Sequence, residues 1–329
     1  MRRQAPGALL VALCLFAPAR AQDTTSPPSE ATPAAITSHV YELVLRRGAP
    51  YIELALGGAR GLFLVDTGAN TSNVDRGWLE QSGAAWRQGR ATTVGGTTGA
   101  IRRDTCVIDR LDLGTAFFRD VGLTLTGPRA PAPGATRPQV GLLGTDLLNR
   151  YQASFDWVHS RLELRLRGER RPVPPGHEPV ACAYPIGLPT VGTRLSGLGL
   201  PCRLDTGATY LDQTPRLDVN VATVDALRAR GVKLVPAGSI TVRGISGVER
   251  LEVLAGEGPD GLVLDLGPAR IERVLLVVHG RGTLAVDYPL ALASATLLAR
   301  LNRLVFDPFD HLLWVPVPEP RQGERLGPL

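Results

Sequence analysis

The sequence has almost no lysine. Lys233 is the single one, so nearly all of its 36 basic residues are arginines, and 31 acidic residues leave a formal net charge of only +5. The densest basic stretch, Arg161 to Arg171, alternates with leucine like a half-buried strand and contains no aromatic residue. A nucleic-acid surface combines clustered cations with stacking rings, so that partner is not expected. Long apolar runs are also missing. The one at Ala8 to Ala17 is ten residues long, against the roughly 20 needed to span a bilayer, and no membrane span is expected. With Arg2 and Arg3 before it and Ala19-Arg20-Ala21 after it, the run reads as a signal peptide (1–21). Leu13 stands before Cys14 where a lipid anchor would want a small residue, and the expected location is the periplasm or the exterior.

Cysteine and histidine are sparse. Cys106, Cys182 and Cys202 remain after the signal, with no C-x-x-C spacing. The five histidines are scattered without an H-E-x-x-H pattern, and neither a metal nor a cofactor is expected. An exported chain can hold a disulfide. Cys182 and Cys202, which bracket a predicted hairpin, are the preferred pair. The sequence also lacks the G-x-S-x-G spacing of a nucleophile elbow and the G-K-[ST] of a phosphate loop.

What the chain has is a tripeptide that occurs twice. Asp66-Thr67-Gly68 ends the apolar run "GLFLV", and Asp205-Thr206-Gly207 ends "GLPCRL". A given tripeptide arises by chance about once in five thousand positions. These two copies lie at equivalent places in a longer repeat. A helical segment ending Leu79…Gly83 is answered by Leu227…Gly231, "LDLG" at 111 by "LDLG" at 264, and Phe155-Asp156 by Phe306-Asp307. The offsets between partners are 139, 148, 153 and 151, a slow drift that fits duplication with loop insertions. Short β-type runs with frequent Gly and Pro turns predict an all-β fold of two similar lobes related by an approximate two-fold axis.

Each Asp could simply cap a turn, helped by glycine at positive φ. That accounts for one copy and leaves the matched pair unexplained. If equivalent loops meet at the axis, Asp66 and Asp205 come together, and two close carboxylates share one proton. One member can then take a proton from water while the other hydrogen-bonds a carbonyl oxygen. Gly68 and Gly207 would allow backbone to approach the carboxylates, and Thr67 and Thr206 would supply hydroxyls to tie the loops.

The two Asp-Thr-Gly-Ala motifs, the Gly-rich hairpins after them and "GLLGTDLL" (141–148) resemble the aspartic proteases, pepsin-like and retropepsin-like, over nearly the whole mature chain. The resemblance implies that Asp66 and Asp205 are the catalytic pair. It makes Val94, Gly95, Gly96 and Thr97, with Gly244, Ile245 and Ser246, the tips of flaps that bind a peptide or protein substrate. In "ALASATLL" the family glycine is replaced, by Ala295 in this reading. The first flap lacks a tyrosine, and alanine follows each motif where pepsin-like enzymes often carry a hydroxyl, which implies a pH optimum milder than pepsin's. Beyond the signal, the expected organisation is a flexible leader (22–38), a first lobe (39–167), a linker (168–179), a second lobe (180–317) and a tail (318–329). The expected function is that of an exported, monomeric aspartic endopeptidase. The alternative is a non-catalytic peptide-binding protein of the same fold.

Overall fold

The computed structural model of the chain describes residues 32–33, 39–128, 137–169, 173 and 175–318. The signal (1–21), most of the leader, part of the linker and nearly all of the tail lie outside the described residues. No described helix is long and apolar enough to cross a membrane.

The fold is all-β. The first half contains β1 (Ala49–Leu56), β2 (Ala59–Val65), β3 (Asn73–Asp75), β4 (Thr92–Gly96), β5 (Gly99–Arg103), β6 (Thr105–Leu113), β7 (Ala116–Thr126), β8 (Gln139–Leu143), β9 (Gln152–Asp156) and β10 (Arg161–Arg165). The second contains β11 (His177–Ala183), β12 (Thr190–Leu195), β13 (Leu198–Asp205), β14 (Arg216–Asn220), β15 (Leu234–Gly244), β16 (Gly247–Gly256), β17 (Ala269–His279), β18 (Ala291–Ser294), β19 (Arg303–Asp307) and β20 (Leu312–Pro316). His177–Pro179, taken from the sequence as linker, already belong to β11.

Alternation sets the faces. In β1, Ile52, Leu54 and Leu56 are buried while Tyr51, Glu53 and Ala55 are not. The two halves repeat one ladder pattern. In the first, β1 pairs antiparallel with β2, β2 parallel with β8, β8 antiparallel with β3, and β3 parallel with β7. In the second, β12, β13, β18, β14 and β17 follow the same sequence of directions. A helix follows β3 and another follows β14: α1 (Arg76–Gln81) is capped by Asp75 and α2 (Val221–Ala229) by Asn220. Shortly after these helices Gly83 and Gly231 take φ of +75° and +81°, the left-handed conformation that lets a helix exit tightly.

The halves are joined by one antiparallel sheet in the order 39–42, β10, β9, β19, β20, β11. Phe155 and Phe306, the repeated phenylalanines, meet there edge to face at 5.4 Å. Asp156 accepts from the His159 amide, and Asp307 accepts from Gln152 Nε2 and the Phe309 amide. These aspartates close local turns and brace the shared sheet.

The expected Cys182–Cys202 disulfide is absent, and the register explains why. Val191 of β12 pairs with Cys182 on one side and Cys202 on the other. Two strand spacings, about 9.5 Å, exceed the roughly 7 Å that a disulfide can bridge. Cys106, Cys182 and Cys202 are all buried free thiols, and burial pushes Cys182 up to about 11 and Cys202 up to about 12. Alkylation in denaturant without reductant is therefore expected to modify all three, while the native protein stays unreactive. A Cys182–Cys202 cross-linked peptide in a non-reduced digest would contradict this.

Candidate active site

The apolar strands β2 and β13 deliver the two aspartates. Phe63 and Val65 on one, Cys202 and Leu204 on the other, are anchored in the core, which fixes the strand ends. Asp66 donates its amide to Leu143 O at 2.9 Å, and Asp205 pairs in register with Ser294. Each chain then turns so that its amides face its own carboxylate. Gly68 N lies 2.9 Å from Asp66 Oδ1, and Gly207 N and Ala208 N lie 2.8 and 2.9 Å from Asp205 Oδ1.

The threonines link the loops reciprocally. Thr67 N donates to Thr206 Oγ1 at 3.0 Å and Thr206 N to Thr67 Oγ1 at 3.1 Å. Their hydroxyls donate onward, Thr67 to Leu204 O at 2.7 Å and Thr206 to Val65 O at 2.6 Å. Both side chains are buried, so these bonds replace water that cannot enter. The glycines decide between the turn-cap reading and the paired reading. Neither Gly68 nor Gly207 has positive φ. A Cβ on Gly68 would instead lie 2.2 Å from Asp205 Cγ, and one on Gly207 would lie 2.2 Å from Asp66 Cγ. Glycine is required because each loop's backbone presses against the other loop's carboxylate.

Asp66 and Asp205 lie within hydrogen-bonding reach of one another. Desolvation by burial, followed by the neighbouring Asp66 charge, pushes Asp205 well above the ordinary carboxylate range, against the pull of the Ala208 and Gly207 amides. The arrangement can hold one proton between two carboxyls. A folded-state value raised above 3.8 means that the fold binds this proton more tightly than the unfolded chain does. Stability is therefore greatest below the ordinary carboxylate range and declines as pH rises, until Asp205 ionises in the fold. Thermal melts of Asp205→Asn are expected to lack this decline, so its stability relative to wild type should improve from acid towards neutral pH. A constant difference across that range would contradict the assignment.

Residues 52–147 match the aspartyl protease family. The match spans the first Asp-Thr-Gly and "GLLGTDLL", and it supports an aspartyl protease and protease activity in general. No curated protein matches the chain significantly. The second motif lies outside the matched residues, and the ladders relate it to the matched segment. Thr145 N donates to Ala69 O and Ala295 N to Ala208 O, each at 2.8 Å. Ala295 is therefore the counterpart of Thr145, and Ser294, not Ala295, stands where the matched segment has Gly144. Its hydroxyl is buried without a partner among the described residues.

Behind Asp66, Ser72 Oγ donates to Asp146 Oδ1 at 2.6 Å and accepts from Gly144 N at 2.9 Å. The hydroxyl of the formal glycosylation sequon Asn70-Thr71-Ser72 is thus used internally. Behind Asp205 lies a network that sequence reasoning missed. Tyr210 Oη donates to Asp218 Oδ2 at 2.7 Å, and Asp218 Oδ1 lies 2.6 Å from His279 Nε2, all three side chains being buried. The available signal was a histidine closing the apolar strand "VLLVVH".

The residues expected to form flaps lie in two hairpins, β4–β5 and β15–β16, whose tips touch. Ser246 Oγ donates to Thr98 O at 2.5 Å, and a Cβ on Gly96 would meet Ile245 Cγ1 at 2.8 Å. Thr98 was not among the expected residues, nor was Gly282, whose Cβ would lie 2.1 Å from Thr97 O. The first tip is therefore held between the second tip and the turn Gly282–Leu284. Val94 pairs with Ile101 and Gly95 with Ala100 along the first hairpin. Among the described residues no group of three His, Cys, Asp or Glu could hold a metal ion.

Proposed function

We propose that the protein is an exported aspartic endopeptidase of bilobal, pepsin- and retropepsin-like build, with Asp66 and Asp205 as its catalytic pair. The observation that carries this reading is the reciprocal approach of Gly68 and Gly207 to the opposite carboxylates. One carboxyl of the pair holds the shared proton and directs it at the scissile carbonyl oxygen. The ionised carboxyl takes a proton from the attacking water as its oxygen bonds to the carbonyl carbon. The tetrahedral species collapses when the leaving nitrogen is protonated and the carbon–nitrogen bond breaks. No covalent intermediate forms. Thr67, Thr206 and the two glycines hold the pair, and both flap tips cover an extended peptide. One chain supplies both half-sites, so a monomer suffices. Export follows from residues 1–21, and the lobes correspond to 39–167 and 180–317 with 168–179 between them.

The deciding experiment is digestion of a mixed peptide pool between about pH 3 and pH 7, read by mass spectrometry, with chelator and acylating inhibitors of serine and cysteine enzymes present. Cleavage is expected to persist under all of these additions. A folded protein that binds peptides and cleaves none would instead be the non-catalytic binding protein. The rate should fall at high pH as the pair loses its shared proton and at low pH as its second carboxyl is protonated. A rate still rising below about pH 2.5 would contradict the proton assignment.

A further inference from the structure

The lobes differ at one pair of equivalent positions beside the aspartates. In β2, Phe63 and Val65 face the core, so Leu64 lies on the opposite face. In β13, Cys202 and Leu204 face the core, so Arg203 shares the opposite face with Asp205. The ladders place Leu64 beside Leu142 and Arg203 beside Leu292, which identifies Arg203 as the counterpart of Leu64. Leu64 belongs to a small apolar cluster with Ala49, Leu142 and Ala295, against which Ala69 packs. On the other side, Leu292 clusters with Leu284 and Leu290, against which Ala208 packs, and Arg203 brings a cation to its edge.

Thr283, not an acidic side chain, holds this guanidinium: Arg203 Nη1 donates to Thr283 O at 3.1 Å. Among the described residues Arg203 forms no ion pair, and a guanidinium has five N–H donors. Thr283 belongs to the turn that supports the first flap, its Cγ2 being 3.4 Å from a Cβ built on Gly95. The cation thus lies between the strand that carries Asp205 and the roof of the cleft.

We infer that Arg203 makes the two half-sites chemically unequal. The half beside Leu64 takes an apolar side chain of an extended peptide, and the half beside Arg203 takes an aspartate or glutamate across the scissile bond from it. A carboxylate there gains charge-assisted, potentially bidentate hydrogen bonds, and an apolar residue leaves the guanidinium without them. The inference takes its peptide substrate from the endopeptidase reading, and its test has an arm that does not need catalysis.

Two peptides that differ only in Glu or Leu at that position, together with their non-cleavable reduced-amide analogues, would be offered to wild type, Arg203→Leu and Arg203→Gln. Wild type is expected to favour Glu over Leu by about 10- to 100-fold in kcat/KM and in analogue affinity at low salt. Both variants should lose that preference, and Arg203→Gln covers the case in which Arg203→Leu does not fold. An unchanged Glu-to-Leu ratio in either folded variant overturns the inference, as does wild type failing to bind either analogue. If wild type cleaves neither peptide yet binds the Glu analogue in an Arg203-dependent way, the endopeptidase reading fails and the cationic half-site stands.

Discussion

Replacing Asp205 with Asn is expected to lower kcat by about 10²- to 10⁴-fold, the usual contribution of a positioned acid or base, while the protein remains folded and still binds peptide. Asn keeps the size of the side chain and can still accept from the Gly207 and Ala208 amides that bond Asp205 Oδ1. It cannot carry the proton that the pair shares. Asp66→Asn should fall as far, because it leaves one carboxyl where the reaction needs both an acid and a base. The double variant should be scarcely worse than either single one, since residues acting as a unit are not additive. The check is steady-state kinetics of the three variants, with a thermal melt of each to verify folding. Either single variant keeping a tenth or more of wild-type kcat would end the dyad mechanism.

The second large effect is expected from one methyl group. In Gly207→Ala the new Cβ would sit 2.2 Å from Asp66 Cγ and 2.3 Å from its Oδ2, and Gly68→Ala does the same to Asp205. The lobes must part, which breaks the Thr67–Thr206 lattice that spans them, or the carboxylate must swing away from its Gly68 amide. Overpacking of this kind costs about 1–3 kcal/mol, and a misplacement of about 1 Å at reacting groups costs about 10²-fold in rate. Gly199→Ala is the control, because it lies on the same strand as Asp205 and its Cβ would meet nothing within 4 Å. Denaturant melts and kcat/KM should therefore separate Gly207→Ala from Gly199→Ala. Equal behaviour would mean that the two loops are not in contact in solution.

Much of the fold was legible because its causes are local. Alternation of apolar and polar residues specifies a strand's faces, and Gly83 and Gly231 end their helices through their own left-handed φ. The collinear repeat made the two lobes readable as one pattern used twice, down to the helix after each motif. The disulfide was not legible, because Cys182 and Cys202 are a register question: they flank the same residue, Val191, from opposite sides. The mistaken choice of Ala295 over Ser294 has a similar cause, since only the pairing of Ser294 with Asp205 fixes which residue aligns with Gly144.

By itself, then, the sequence determined the matched pair: two aspartates, each at the end of an apolar strand and followed by Thr-Gly. The tertiary structure decided why the glycines must be glycines. Sequence suggests backbone freedom, a property of one residue, whereas the structure requires empty space for the carboxylate of the other motif, Asp205 beside Gly68 and Asp66 beside Gly207. It also decided that the two hairpin tips meet and that Tyr210, Asp218 and His279 join behind Asp205. The tip contact depends on how the two halves pack, and the Tyr210–Asp218–His279 network on strand pairing within the second half; neighbouring residues along the chain encode neither.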